Sequence, residues 1–210
     1  MAITYPLSLP TVSGIRSIVL RTKNSVGISQ SPFTFKQQVV SYGGQYWEAD
    51  IELPVMSRDE AEEWVSFLVQ LKGFEGTFLL GDPSGATPRG SASSAPGTPV
   101  VDGSGQTGGS LSIDGLPASA TGYLKAGDYI QLGGGSGATL HKVLKDVDSN
   151  ASGEATLDVY PSIRTAPSDN ASVIVSNAKG VFRLSSNETQ WSINEITHYG
   201  ITFGAQEAVT

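Results

Sequence analysis

The sequence predicts a mainly β protein: a β-sandwich domain carrying one amphipathic α-helix, with a small β-barrel or sandwich domain inserted into it. Three observations lead there. Apolar and polar residues alternate with period two around Trp47, turn-forming Gly, Ser and Pro clusters recur through the middle of the chain, and aromatic-rich strands of one kind occur near both ends. Of 210 residues, 25 are glycine and only 16 % are charged, below the ~25 % of an average globular protein. Small residues in place of charge suit a turn-rich β protein, or one whose surface is covered by neighbours.

Taken in order, the elements are these. Pro6 and Pro10 favour an extended N-terminal segment, because proline fixes φ and cannot continue a helix. Ile15–Arg21 alternates, with Ser17, Val19 and Arg21 on one side and Arg16, Ile18 and Leu20 on the other. The run from Phe33 to Val40 places Phe33 and Phe35 on one face, and Gly43-Gly44 reads as a hairpin turn. Beyond it, Tyr46, Glu48, Asp50 and Glu52 alternate with Trp47, Ala49, Ile51 and Leu53, which gives one polar and one apolar face. Residues 57–72 then predict the one long helix. Ser57-Arg-Asp-Glu60 fits a capping box, Ala61, Trp64, Leu68 and Leu71 recur at helical spacing with Val65 and Phe67 widening the stripe, and Gly73 ends it.

After the strand-like "GTFLL", residues 81–109 are dominated by Gly, Pro, Ser, Ala and Thr and read as a linker with at most one short strand at Thr98–Val101. Short strands are expected at Leu111–Ile113, Tyr129–Leu132, Thr139–Val147, Ala155–Tyr160 and Ser172–Val175. Long aromatic strands return with Phe182 and Leu184, with Trp191, Ile193 and Glu195, and with Tyr199, Ile201 and Phe203. Residues 1–88 and 178–210 are therefore expected to share one discontinuous domain, with 89–177 inserted between them, because loop tips tolerate insertions and closure entropy grows slowly with length. The alternative is one continuous sandwich.

The composition excludes several function classes. A formal net charge of −7 and the lack of any basic cluster argue against sequence-specific nucleic-acid binding. Cysteine is absent, which removes disulfides, thiolate metal sites and thiol nucleophiles together. No run approaches the ~20 apolar residues of a membrane span, and the first residues lack the basic start and apolar stretch of a signal peptide. Synthesis in a cytoplasm is expected, with retention there or release inside a particle set free by lysis.

The search for chemistry returns few candidates. His141 and His198 are the only histidines, and neither has a neighbour at metal-ligand spacing. Gly133-Gly-Gly-Ser-Gly137 lacks the Lys-Ser/Thr of a phosphate loop and reads as a turn. Asp146, Asp148, Asn150 and Glu154 lack the glycine and terminal glutamate of a calcium loop, so this too reads as a turn. Glu48, Asp50 and Glu52 project from one strand face about 6.5–7 Å apart, a spacing open to glycoside chemistry but better suited to a solvent face or one meeting basic groups of a partner. Trp47, Trp64, Trp191, Tyr46 and Tyr199 leave open a carbohydrate-binding sandwich used in host adsorption, although Trp47 and Trp64 fall on apolar faces. No enzyme, catalytic residue, cofactor or metal is predicted.

Two stretches, "YGGQYWEADIELPVMSRDEAEEWVSFLVQLKGFEGTFLLGDPSGATPRG" and "GVFRLSSNETQWSINEITHYGITFGAQEA", carry a resemblance to the distal tail proteins of long-tailed bacteriophages. The intervening "GDYIQLGGGSGATLHKVLKDVDSNASGEATLDVYPSIR" is similar to the middle of such proteins. The resemblance implies a β-sandwich belt domain with a helix, a second β domain, and a hexameric ring in the virion between the tail tube protein and the tip hub with its other minor tail proteins. It implies no catalytic motif and carries over no interface residue. Within it, Glu48, Asp50 and Glu52 are the candidate lumen- or partner-facing residues.

Overall fold

In the computed structural model, which describes residues 3–12, 14–194 and 198–209, strands from both ends of the chain join one sheet. The first segment supplies β1 (Ser17–Gln30), β2 (Gln37–Glu52), α1 (Arg58–Leu71) and β3 (Phe78–Leu80), and the last supplies β10 (Gly180–Leu184), β11 (Trp191–Ile193) and β12 (Tyr199–Glu207). Their antiparallel order is β1-β2-β12-β10-β3, with β11 also on β12. Glu195, grouped with Trp191 and Ile193 by its alternation, lies outside the described residues.

The period-two pattern of β2 decides what this sheet buries. Trp47, Ala49, Ile51 and Leu53 are all at most 3 % exposed, and the register sets them beside Ile201, Phe203 and Ala205. Helix α1 lies over one end of this face. The capping box forms, with the Ser57 amide donating to Glu60 Oε2 at 3.1 Å, and Lys72 leaves the helix in the left-handed region at φ 50°. Its stripe of Ala61, Trp64, Phe67, Leu68 and Leu71 is buried, with Phe67 edge-on to Phe78 at 5.5 Å between ring centroids. Burying each large side chain of that stripe stabilises the fold by about 1.5–3 kcal/mol. The extended N-terminal segment covers the free edge of β3, where Leu7 N donates to Thr77 O and Leu79 N donates to Leu7 O.

The hairpin between β1 and β2 differs from the sequence expectation. Its turn is Ser31–Lys36, closed by Ser31 N donating to Lys36 O at 3.0 Å and Phe35 N to Ser31 O at 2.9 Å. Gly43-Gly44 is instead a bulge inside β2: the register passes from Asn24↔Gln45 to Val26↔Ser41, so one residue of β1 faces three of β2. Gly43 takes φ 75°, which a side chain resists. Paired glycines satisfy a bulge as well as a turn, and only the partner strand distinguishes the two.

The middle segment forms β4 (Val100–Val101), β5 (Gly108–Asp114), β6 (Tyr129–Leu132), β7 (Thr139–Val143), β8 (Ala155–Ile163) and β9 (Val173–Ile174). Their order is β4-β5-β8-β7-β6-β9, and the ends nearly close into a barrel: Val101 N donates to Ala171 O and Val173 N to Pro99 O, both at 2.9 Å. Inside it, Leu111, Ile113, Tyr123, Leu124, Ile130 and Leu157 are fully buried.

The Gly/Ser/Pro-rich segment expected as a linker is instead packed. Ala92 lies in the barrel core and its amide donates to Tyr123 O at 3.0 Å. A side chain at Gly90 would collide with the Tyr123 carbonyl. Arg89 pairs with Asp128, whose side chain is 2 % exposed and also accepts the amides of Arg89 and Lys125. Small residues are used here for close backbone approach rather than for freedom.

Candidate assembly surface

Sheet and barrel meet around Trp47. Its indole N–H donates to Leu140 O at 3.0 Å, and its ring sits 6.1 Å from Tyr129 and 5.5 Å from Tyr160. Beside it, the nearly buried Glu207 carboxylate accepts the Trp47 amide at 3.0 Å and the Arg164 guanidinium at 2.8 and 3.1 Å. The buried face of the outer sheet is thus fully used, by α1 at one end and the barrel at the other. Its opposite face is partly open, with the Asp50 side chain 56 % and the Glu48 side chain 20 % exposed.

That opposite face holds Glu48, Asp50 and Glu52, each beside a cation of β1 or of the residue just before it. Arg16 pairs with Glu52 at 2.7 Å, Arg21 with Asp50 and, at 3.7 Å, with Glu48, and Lys23 with Glu48 at 3.6 Å. The hydrogen bond between Arg21 and Asp50 raises the guanidinium pKa and lowers the carboxyl below its ordinary range. Three acids meet three bases, so this face is a charge-compensated ladder rather than an acidic stripe. The signal was present in the alternation of Arg21 and Lys23, but the cross-strand register was needed to read it.

The other candidate residues serve the fold. His141 is 2 % exposed, with Nδ1 2.7 Å from Pro161 O and Nε2 2.9 Å from Thr139 Oγ1, and burial pushes its pKa down. His198 precedes β12, its amide donating to Asn194 Oδ1 at 2.8 Å. Asp146 accepts the Ala126 amide and the Lys125 ammonium, and Asn150 Oδ1 accepts the amides of Ser152 and Glu154, so these oxygens face donors of the chain itself. Among the described residues no group of three or more His, Cys, Asp or Glu is arranged to hold a metal ion, and no helix is long and apolar enough to cross a membrane. Of the aromatic residues considered for sugar binding, Trp47, Trp64 and Tyr199 are buried and Tyr46 is half-buried, while Trp191 is 41 % exposed.

The feature that sequence reasoning passed over is the arm formed by residues 24–45. Beyond its base, every described hydrogen bond of residues 31–44 stays within the hairpin. Phe33 is 91 % exposed, Phe35 and Tyr42 71 %, Ile28 64 % and Val39 61 %. From Asn24 to the tip it extends about 30 Å, at ~3.3 Å per residue. These large apolar residues line a two-stranded ribbon with no core beneath it among the described residues, which makes the arm the candidate surface for an interaction. The β-branched and aromatic run was legible, but its lack of a covering layer was not.

Compared with protein-family models and with curated proteins, the chain matches none.

Proposed function

We propose that this protein is a non-enzymatic structural subunit of a phage tail, forming a ring, hexameric by resemblance, between the tail tube and the tip hub. The exposed apolar arm carries the reading. A ribbon with that much uncovered apolar surface is poorly suited to a solitary soluble protein and well suited to a subunit whose neighbours complete it. In the ring, the outer sheet with its helix is the belt domain, its sandwich completed by what packs against it, and the near-closed barrel is the second β domain. The face of Glu48, Asp50 and Glu52 lines the channel or meets a partner, because α1 and the barrel occupy the other face. With Arg16, Arg21 and Lys23 interleaved, that face is close to neutral and offers passing DNA little electrostatic hold.

The test is the mass and shape of the purified protein. Light scattering after size exclusion is expected near 131 kDa for six copies of the 21.9 kDa chain, and negatively stained particles are expected to be rings with a central hole. A monomer at tens of micromolar, with affinity for a glycan in a screen, would replace this reading with that of a sugar-binding module.

A further inference from the structure

We infer that the tip of the β1–β2 arm seats on the neighbouring copy in the groove between its N-terminal segment and α1, with Phe33 and Phe35 against Leu7, Pro10 and Phe67, and Lys36 beside Glu62 and Glu63. The inference rests on the ring reading and deepens it by naming the two surfaces that meet.

The arm supplies the first argument. Residues 24–45 contain one charged side chain, Lys36, which follows directly on Phe35 at the tip. The arm therefore carries +1 and the remainder of the chain −8, given −7 in total. Whatever receives this tip needs an apolar floor and a negative rim.

The groove supplies the second. Its volume is about 480 Å³, its floor is formed by Phe67 of α1 with Leu7 and Pro10 of the N-terminal segment, and Glu62, Glu63 and Ser66 stand at its rim. Among the described residues Glu62 has only the exposed Arg58 as ion-pair partner, at 3.5 Å, and Glu63 has none. From Ser57 to Glu75 the chain carries five acids and two bases, a net −3. Apolar floor and acidic rim thus match apolar tip and lysine.

Geometry supplies the third. Tip and groove are different surfaces of one chain, so where the exchange is not reciprocal their contact runs head-to-tail, the kind that closes into a ring when the rotation per copy permits. The arm's length of about 30 Å lets the tip reach past the edge of its own body.

The absence of cysteine makes the test direct. A chain carrying both Phe33→Cys and Ser66→Cys, treated with a short bis-maleimide, is expected to give a ladder of covalent oligomers extending past the dimer. Each single-cysteine variant can link at most two copies. Lys36→Glu is expected to raise the concentration at half-assembly about tenfold, and adding Glu62→Lys and Glu63→Lys in the same chain is expected to restore it. All these positions except Phe67 and the partly covered Leu7 and Pro10 are exposed, and circular dichroism of each variant is expected to match the parent. Rings that form without a ladder past the dimer, or that tolerate Lys36→Glu unchanged, overturn the inference and leave the ring reading standing. A monomeric parent chain overturns both. A monomer that sediments with phosphatidylcholine vesicles through Phe33 and Phe35 assigns the tip to a lipid surface and overturns the inference as well.

Discussion

The barrel and the outer sheet solve the same problem in opposite ways. Each is a six-stranded antiparallel system with its own cluster of buried residues. The barrel nearly closes on itself, and among its described residues only Leu144 and Ile174 are large exposed hydrophobics. The outer segments leave sixteen such residues exposed, seven of them in the arm from Val26 to Tyr42. Closure removes edges, and a nearly closed barrel needs little from outside. An open sheet with a long unsupported hairpin leaves apolar surface in water. The comparison teaches that the barrel covers its own apolar residues and the outer segments do not.

Truncation inside the outer core is the strongest way to test that division. Phe182, fully buried between β3 and β12, is expected to cost about 3–5 kcal/mol as Phe182→Ala in urea unfolding. If the barrel is self-sufficient, limited proteolysis of that variant will leave a protected fragment near residues 89–177. Loss of both parts together would break the comparison.

The junction comes next. Glu207→Ala leaves Arg164 without its carboxylate and the Trp47 amide without its acceptor, at an expected cost of about 2 kcal/mol, since Arg164 is partly solvated. Calorimetry is expected to show the single transition of the parent splitting into two. An unsplit transition at lower temperature would mean that the two parts are coupled by more than this contact.

Titration probes two buried groups of the barrel. The folded state depresses the His141 pKa by burial, so the unfolded chain binds a proton first as pH falls below the ordinary value of 6.5. Stability contributed by the neutral imidazole is therefore present above that pH and lost on acidification. Tyr123 gives the mirror image: burial raises its pKa from 10.0 to about 12, so stability is expected to fall as pH rises through that window. Thermal melts across pH read both, and a His141→Gln chain should lose the part of the dependence that sets in just below 6.5, keeping that of carboxylates such as Asp50.

The smallest effect on stability is expected at the tip. Phe33→Ser with Phe35→Ser should change the unfolding free energy by no more than about 0.5 kcal/mol, because both rings are already in water. The same variant should abolish association seen by light scattering. A large stability loss in the monomer would show that the tip supports its own fold.

Much of the fold was legible in particular residues. The capping box at Ser57 and the stripe through Trp64 and Leu71 located α1 to within a residue, and Tyr129–Leu132 was placed residue for residue. These signals are local: a cap, a helical period, an alternation. The misreadings were of residues whose role depends on what lies opposite. Gly43-Gly44 took its meaning from β1, and the segment from Gly81 to Gly109 from the barrel wall it meets.

By itself, then, the sequence determined the mainly β class, the one helix and where it begins, the absence of thiol chemistry, and the faces each strand offers, because backbone propensity and side-chain alternation act over a few residues. The tertiary structure decided which glycines bend a strand and which admit a neighbour, that the polar ladder is neutralised, and that the arm stands uncovered. Those outcomes rest on contacts between residues as far apart as Trp47 and Glu207, and no local pattern encodes the presence or absence of such a partner.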